Sequence, residues 1–276
     1  MKKNVLGWKG TCLILLIGMT CGCGDRLSSN LGAGCPVNGL ALTDRAYTGQ
    51  SLASKNLTLT LTSSLGSYTA EISDFLWINQ VPVTFFVKGK DVAHNKGLLK
   101  VMKQRGQLVG NGSLIDEPLT AAHDPELLVR YTDYLIAPYV TGNMFLLRLP
   151  GDNADHKLMT RLNHAGLRKY VAPIGSDIGG GADGKPADLT CLETSGSADT
   201  CSDEYLVAIR DAQRGIVTFH DRHPQSLALI KKTIIALRNE NYQFVRIDAV
   251  PEVRQALEQN GGKPGEVGGS ASCNDY

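Results

Sequence analysis

The chain has 276 residues, a formal charge of +1 and 20% charged residues. That length buries a sizeable core, as one large α/β domain or two small ones. Near-zero net charge argues against a nucleic-acid or other polyanion partner, which favours a basic face.

Lys2, Lys3 and Lys9 precede an apolar run from Cys12 to Met19, and small residues follow from Thr20 to Gly24. This is the layout of an export signal over residues 1–23, and the run is too short and its flank wrong for a transmembrane helix. A cysteine straight after small residues resembles the lipobox of bacterial lipoproteins. Cys23 follows Gly22 and is favoured over Cys21 as the acylated residue; the other reading is an ordinary cleaved signal. Acylation by more than one chain anchors a protein firmly to a membrane. Without the signal, Cys35, Cys191, Cys201 and Cys273 remain, an even set for an oxidising compartment. Cys191–Cys201 is the expected local bridge. Cys35–Cys273 is expected to tie the two ends of the domain, and closing so long a loop contributes on the order of 4–5 kcal/mol in the chain-entropy model. None of the four stands in a Cys-x-x-Cys pair, which disfavours zinc binding by them.

Residues 24–50 are rich in Gly, Ser and Asn and read as a linker and lead-in segment. From Asn56 to Ser64, Leu57, Leu59 and Leu61 alternate with Thr58, Thr60 and Thr62, the two-residue period of a buried strand. A helix follows from Glu71 to Asn79 with Ile72, Phe75, Leu76 and Trp77 inward, then a strand from Val81 to Val87. The pattern continues with a helix from Asp91 to Arg105, a strand from Gln107 to Asn111, and a long helix from Ala122 to Thr141 with Asp124 at its N-cap and Pro125 in its first turn. A strand from Met144 to Arg148, a helix from Ala154 to Ala165 stopped by Gly166, and a strand from Lys169 to Ala172 come next. Residues 175–200 read as a Gly/Asp/Ser-rich loop running into the cysteine pair. The chain closes with a helix from Asp203 to Ala212, a strand from Gly215 to Phe219, a helix from Pro224 to Asn239, a strand from Gln243 to Ile247 and a helix from Glu252 to Gln259. The domain spans residues 51–259, and 260–276 form a flexible tail. Strands alternating with helices imply a parallel sheet covered by helices, open or closed.

The order strand, turn, helix, then Val81-Pro82-Val83-Thr84-Phe85-Phe86-Val87 resembles the polysaccharide deacetylase (NodB-homology, carbohydrate esterase) family, and the likeness runs from about Leu57 to Ile247. The resemblance implies an α/β fold, an irregular β/α barrel of about seven parallel strands, with its chemistry at the C-terminal strand ends. It also implies a hydrolase of carbon–nitrogen amide bonds in N-acetylated glycans, using zinc. The motifs, however, arrive altered. The family ends its first strand in Thr-Phe-Asp-Asp, a base and a metal ligand; here the positions read Thr60-Leu61-Thr62-Ser63. The family's Gly-Asn-His-(Ser/Thr)-x-x-His becomes Gly110-Asn111-Gly112-Ser113-Leu114-Ile115-Asp116. Both histidines that hold the metal are replaced, and no three-ligand zinc site assembles from Ser63, Gly112 and Asp116.

Three later motifs resemble the family more closely. Leu147-Arg148-Leu149-Pro150-Gly151-Asp152 matches Phe-Arg-x-Pro-Gly-Gly; Arg148 has lost the acid at Thr62 and is expected to pair with Asp116, Asp152 or Asp177 or to serve as a strut. Asp177 is the expected partner of the late histidine, and no Trp follows it. Ile216-Val217-Thr218-Phe219-His220-Asp221 places His220 at the general acid. Other motifs carry less. Asp152 to His156 lacks a full calcium loop and reads as helix capping, His220 and His223 do not share a helix face, and no Gly-x-Ser-x-Gly elbow occurs.

The catalytic positions carried over are thus His220, Arg148 and Asp177. Thr62, Ser63, Ser113, Asp116 and Asp152 are candidates for substrate contact, with no metal and no cofactor. The reading these residues favour is an exported, lipid-anchored protein of the bacterial cell envelope that binds a glycan such as peptidoglycan without cleaving it. The alternatives are an active deacetylase, on the family likeness, and a relocated site built from Asp116, Arg148, Asp152, Asp177 and His220.

Overall fold

The leucines and threonines of the first strand separate onto two faces, and the architecture follows from that division. In the computed structural model, which describes residues 39–181 and 185–267, β1 spans Asn56–Ser63. Leu57, Leu59 and Leu61 turn outward and pack with Ile72 and Leu76 of α1 (Thr69–Ile78) and with Leu229, Ile230 and Ile234 of α8 (Ser226–Asn239). Thr58, Thr60 and Thr62 take the opposite face, as a two-residue period requires.

The chain runs on through β2 (Val83–Val87), α2 (Gly89–Val92), α3 (Lys96–Gln104), β3 (Leu108–Asn111), α4 (Pro125–Ile136), α5 (His156–His164), β4 (Ile178–Gly179), α6 (Asp188–Ser195), α7 (Ala198–Ala212), β5 (Gly215–His220), β6 (Gln243–Phe244, after α8) and α9 (Pro251–Gln259). The sheet order is β3-β2-β1-β5-β4, with β6 at the foot of β1, and every pairing is parallel. Beyond β3, parallel bridges join Asn111 to Leu147 and Leu146 to Val171. The segment that carries Val171 then returns to β5, where Asp177 N–H donates to Ile216 O and Ile178 pairs with Val217. Hydrogen bonds therefore run all the way round, and the sheet is an irregular barrel. Phe86, Leu108, Leu146, Ile174 and Ile216 belong to a second buried apolar cluster. Gly110 belongs there for a steric reason: a Cβ would lie 2.7 Å from a Phe86 ring carbon.

Several elements differ from the sequence pattern. The helix expected from Asp91 to Arg105 is two, α2 and α3, divided at Ala93–Asn95. The stretch 175–200 is not a plain loop: it holds β4 and α6, and α7 begins before Asp203, capped by Ser197, whose side chain accepts from Thr200 N–H. Trp77 is half exposed rather than inward, with the Arg105 guanidinium 4.9 Å from its ring. Residues 39–50 are not a bare linker: Leu42 is buried, Tyr47 bridges Ile174, and Gly49 N–H donates to Asp177. The first tail residues are likewise held, Lys263 N–H by Gly142 O and Gly265 N–H by Asp248. Cys191–Cys201 is a disulfide joining α6 to α7. The export signal, Cys23 and the Cys35–Cys273 pair lie outside the described residues. Among those described, no helix is long and apolar enough to cross a membrane.

Candidate functional site

At the C-terminal end of the barrel the inward-facing positions are Thr62 on β1, Lys88 just past β2, Gly112 just past β3 and His220 on β5. Thr62 and His220 are register partners on adjacent strands. His220 is the best-organised residue of this rim. Its Nδ1 donates to Asp188 Oδ1 at 2.8 Å and its backbone N–H donates to Asp188 Oδ2 at 2.6 Å. Asp188 opens α6 and is 1% exposed. One carboxylate therefore fixes both the ring and the chain of the histidine, and leaves Nε2 with no hydrogen-bond partner among the described residues. An acid-oriented histidine of this kind is the arrangement that general acid–base chemistry uses.

The sequence expectation assigned this role to Asp177, and that assignment is corrected. Asp177 accepts from Gly49 N–H at 2.6 Å, Gln50 Nε2 at 2.8 Å and Ile216 N–H at 2.7 Å. It ties the lead-in segment to β5, on the side of the strand start. Two acids followed the same strand at different distances, and only the fold distinguishes them.

Arg148 is buried, and no carboxylate among the described residues contacts it. Its NH1 donates to Thr60 Oγ1 at 2.8 Å, NH2 to Gly175 O at 3.0 Å and Nε to Ile174 O at 3.2 Å, and the guanidinium lies 4.5 Å from the Phe86 ring centroid. Burial pushes its pKa down to about 10, partly offset by the negative charges of Asp152 and Asp177 nearby. The expected ion pair is thus replaced by carbonyls, a hydroxyl and an aromatic face. Arg148 is a strut beneath the rim, continued by Thr60 to Thr218 (2.9 Å) and by Thr218 to Ser176 (2.6 Å).

Ser63 and Ser113 do not line an open cleft. Ser63 is fully buried on the outward face, and its hydroxyl donates to Asp221, which also accepts from Thr69 Oγ1 at 2.6 Å and Ser64 N–H at 3.0 Å. Asp221 thereby joins the ends of β1 and β5 to the start of α1. Ser113 is buried with φ +69, and its Oγ has no partner among the described residues. Asp152 lies beside the Arg148 charge without touching it, in a turn with φ +52.

Asp116 is on the rim and 44% exposed. It pairs with Lys88 Nζ at 2.5 Å and Arg222 NH1 at 3.1 Å. Burial raises its carboxyl, but the hydrogen bond and charge of Lys88, with Arg222 behind, outweigh it, so the group titrates below its usual 3.8. Lys88, 4% exposed, is, with Asp188, a site residue that sequence reasoning missed. Its signal was available: Thr84, Phe86 and Lys88 share one face, so a lysine ends an inward-pointing row.

The family's metal needs three donors here, and the residues present do not supply them. Ser63 spends its hydroxyl on Asp221, and Asp116 is held by two cations. Gly112 has no side chain, and a Cβ there would lie 3.0 Å from the carbonyl oxygens of both Phe86 and Val87, so the backbone would have to give. Thr62 supplies no carboxylate base.

Residues 50–170 match the family model described as polysaccharide deacetylase. Among solved structures, the Bacillus subtilis peptidoglycan deacetylase PdaC is 22% identical over 74% of this chain and 94% of its own, with a TM-score of 0.57. PdaA of Bacillus subtilis, a family 4 carbohydrate esterase, is 20% identical over 76% and 86%, with a TM-score of 0.61. A mutant of BA3943, described as a family 4 pseudoenzyme with restored enzymatic activity, is 19% identical over 71% and 67%, with a TM-score of 0.55. No curated protein sequence matches the chain significantly. The match over residues 50–170 makes that segment similar to the polysaccharide deacetylase family, and the barrel built around it has the fold of the family 4 carbohydrate esterases.

Proposed function

We propose that this protein is an exported, lipid-anchored member of the deacetylase fold that binds N-acetylated envelope glycan, such as peptidoglycan, without cleaving it. One observation carries the reading. The three metal-ligand positions are a glycine, a serine turned onto Asp221 and an aspartate committed to Lys88 and Arg222. Metal-assisted hydrolysis needs a polarised carbonyl and an activated water, and these residues supply neither. Support for the glycan comes from the fold neighbours, which are named as peptidoglycan and chitin deacetylases. The Asp188–His220 pair favours the second reading, a hydrolase with a rearranged site, because it keeps an oriented acid.

The mature protein, assayed with insoluble peptidoglycan and with chitooligosaccharides, is expected to bind and to release no acetate, with or without added zinc. Metal-dependent acetate release would establish the hydrolase reading instead. Absence of binding to either glycan would remove the proposed ligand class.

A further inference from the structure

Lys88 stands where a charge is least expected. It continues the inward row of Thr84 and Phe86 at the end of β2 and is almost wholly buried. A desolvated ammonium is tolerated only against an anion with good geometry, and Asp116 Oδ2 provides one at 2.5 Å. Asp116 occupies one of the three metal-ligand positions. Since zinc lies about 2.0–2.2 Å from a carboxylate oxygen, the ammonium nitrogen is within about 0.5 Å of the shell a metal would take around this donor.

The other two positions border the same residue. Lys88 N–H donates to Ser63 O at 3.4 Å. On its other side Gly112 N–H donates to Val87 O at 2.9 Å, and Gly89 N–H to Ser113 O at 3.0 Å. The chain at Lys88 is therefore laced between positions 63 and 112, with its side-chain nitrogen on position 116. Arg222, just past the end of β5, adds a second cation to the same oxygen of Asp116.

We propose that Lys88 is a tethered replacement for the divalent cation: its ammonium takes the place of the metal, balances Asp116 and excludes a metal from the cleft. The inference rests on the metal-free part of the function proposed above and is independent of glycan binding. It implies that restoring the ligand positions alone would not rebuild a metal site while Lys88 is in place.

Chemical rescue tests it. In Lys88→Ala, thermal unfolding should begin on the order of 10 °C lower, because one partner of a partly buried pair has been removed. Ethylammonium, a small primary ammonium that fits the vacated space, should recover at least half of that loss as its concentration rises, and tetramethylammonium at equal ionic strength should not. Lys88→Met, which fills the space without charge, should lose stability and gain nothing from ethylammonium. Wild-type protein, exposed to zinc and desalted, should carry no stoichiometric metal. The proposal fails if the wild type retains one equivalent of zinc, if folded Lys88→Ala unfolds at the wild-type temperature, or if both ammonium ions rescue it equally. Should Lys88→Ala not fold, the wild-type zinc content decides. Amine rescue without glycan binding would sink the proposed function and leave this assignment standing.

Discussion

Replacing Asp188 separates the site's organising carboxylate from the one that its sequence position suggested. Asp188 is 1% exposed and accepts from both the ring and the backbone N–H of His220, at 2.8 and 2.6 Å. In Asp188→Ala the His220 backbone N–H loses a hydrogen bond to a charged group in a part-buried setting, a change of roughly 1.5–3 kcal/mol. The ring loses less, since His220 is 19% exposed and can turn toward water. A total of about 2–4 kcal/mol, at roughly 2–4 °C per kcal/mol for a domain of this size, lowers the unfolding midpoint by roughly 5–15 °C. Asp188→Asn keeps one carbonyl acceptor and should lose about half as much. The decisive readout is nitrogen NMR of the His220 ring. In the wild type the neutral ring should hold its hydrogen on Nδ1, facing Asp188; in Asp188→Asn the tautomers should mix. Asp177→Asn is the control and should leave the ring spectrum unchanged, because Asp177 holds Gly49, Gln50 and Ile216 instead. The reasoning is refuted if Asp177→Asn alters the His220 tautomer, or if Asp188→Ala unfolds at the wild-type temperature with an unchanged ring spectrum.

Gly110→Ala places a methyl 2.7 Å from the Phe86 ring and should destabilise by roughly 1–3 kcal/mol or more, read by denaturant melts, since an overpacked core forces its neighbours off their rotamers. Cys191→Ser with Cys201→Ser removes the bridge between α6 and α7; a loss of about 3 kcal/mol is expected, and hydrogen exchange should rise first in α6, which carries Asp188. The Asp116 carboxyl, titrated by carbon NMR, should have its midpoint below 3.8. Because its folded pKa is lowered, its pairing with Lys88 and Arg222 contributes stability above that pH and loses it as the pH falls through the folded value. Lys88→Met should move the midpoint upward.

How much of this was legible in the chain depended on whether a residue's role was local or topological. The Leu/Thr alternation of β1 fixed both faces of that strand, because a two-residue period has one structural meaning. The altered motifs located Thr62, Asp116 and His220 on one rim, because strand ends converge whatever the loops do. Asp177 and Asp188 could not be told apart, since both follow the same strand segment and the intervening chain held β4 and the start of α6, where Gly179, Gly180 and Gly181 read as loop. The partner of Arg148 was missed for a different reason. A search among acids alone overlooks that a guanidinium can be held by two carbonyls, a hydroxyl and a ring face. Ser63 was read as facing the cleft because the motif placed it there, yet its parity with Leu57, Leu59 and Leu61 already put it on the outward face.

That parity bears on what the barrel retains. The outward position at the end of β1 meets Asp221, which gathers Ser63, Ser64 and Thr69 and locks β1, β5 and α1 together. The inward positions one residue away hold Thr62 and His220. So the frame that sets the height and angle of His220 is made by residues facing away from the cleft, and it does not depend on what the cleft contains. Positions 112 and 116 can change, and a lysine can enter the row at β2, without touching Asp221 or Asp188, whereas the residue at 63 is itself a partner of Asp221. Persistence of the Asp188–His220 pair beside an incomplete metal set is therefore expected on packing grounds alone, and its presence is not by itself a sign of turnover. A functional claim for the pair needs a ligand proton at Nε2, so the His220 ring should be observed with glycan added: a change in its nitrogen spectrum on binding assigns it to the ligand site, and an unchanged spectrum leaves it as part of the scaffold.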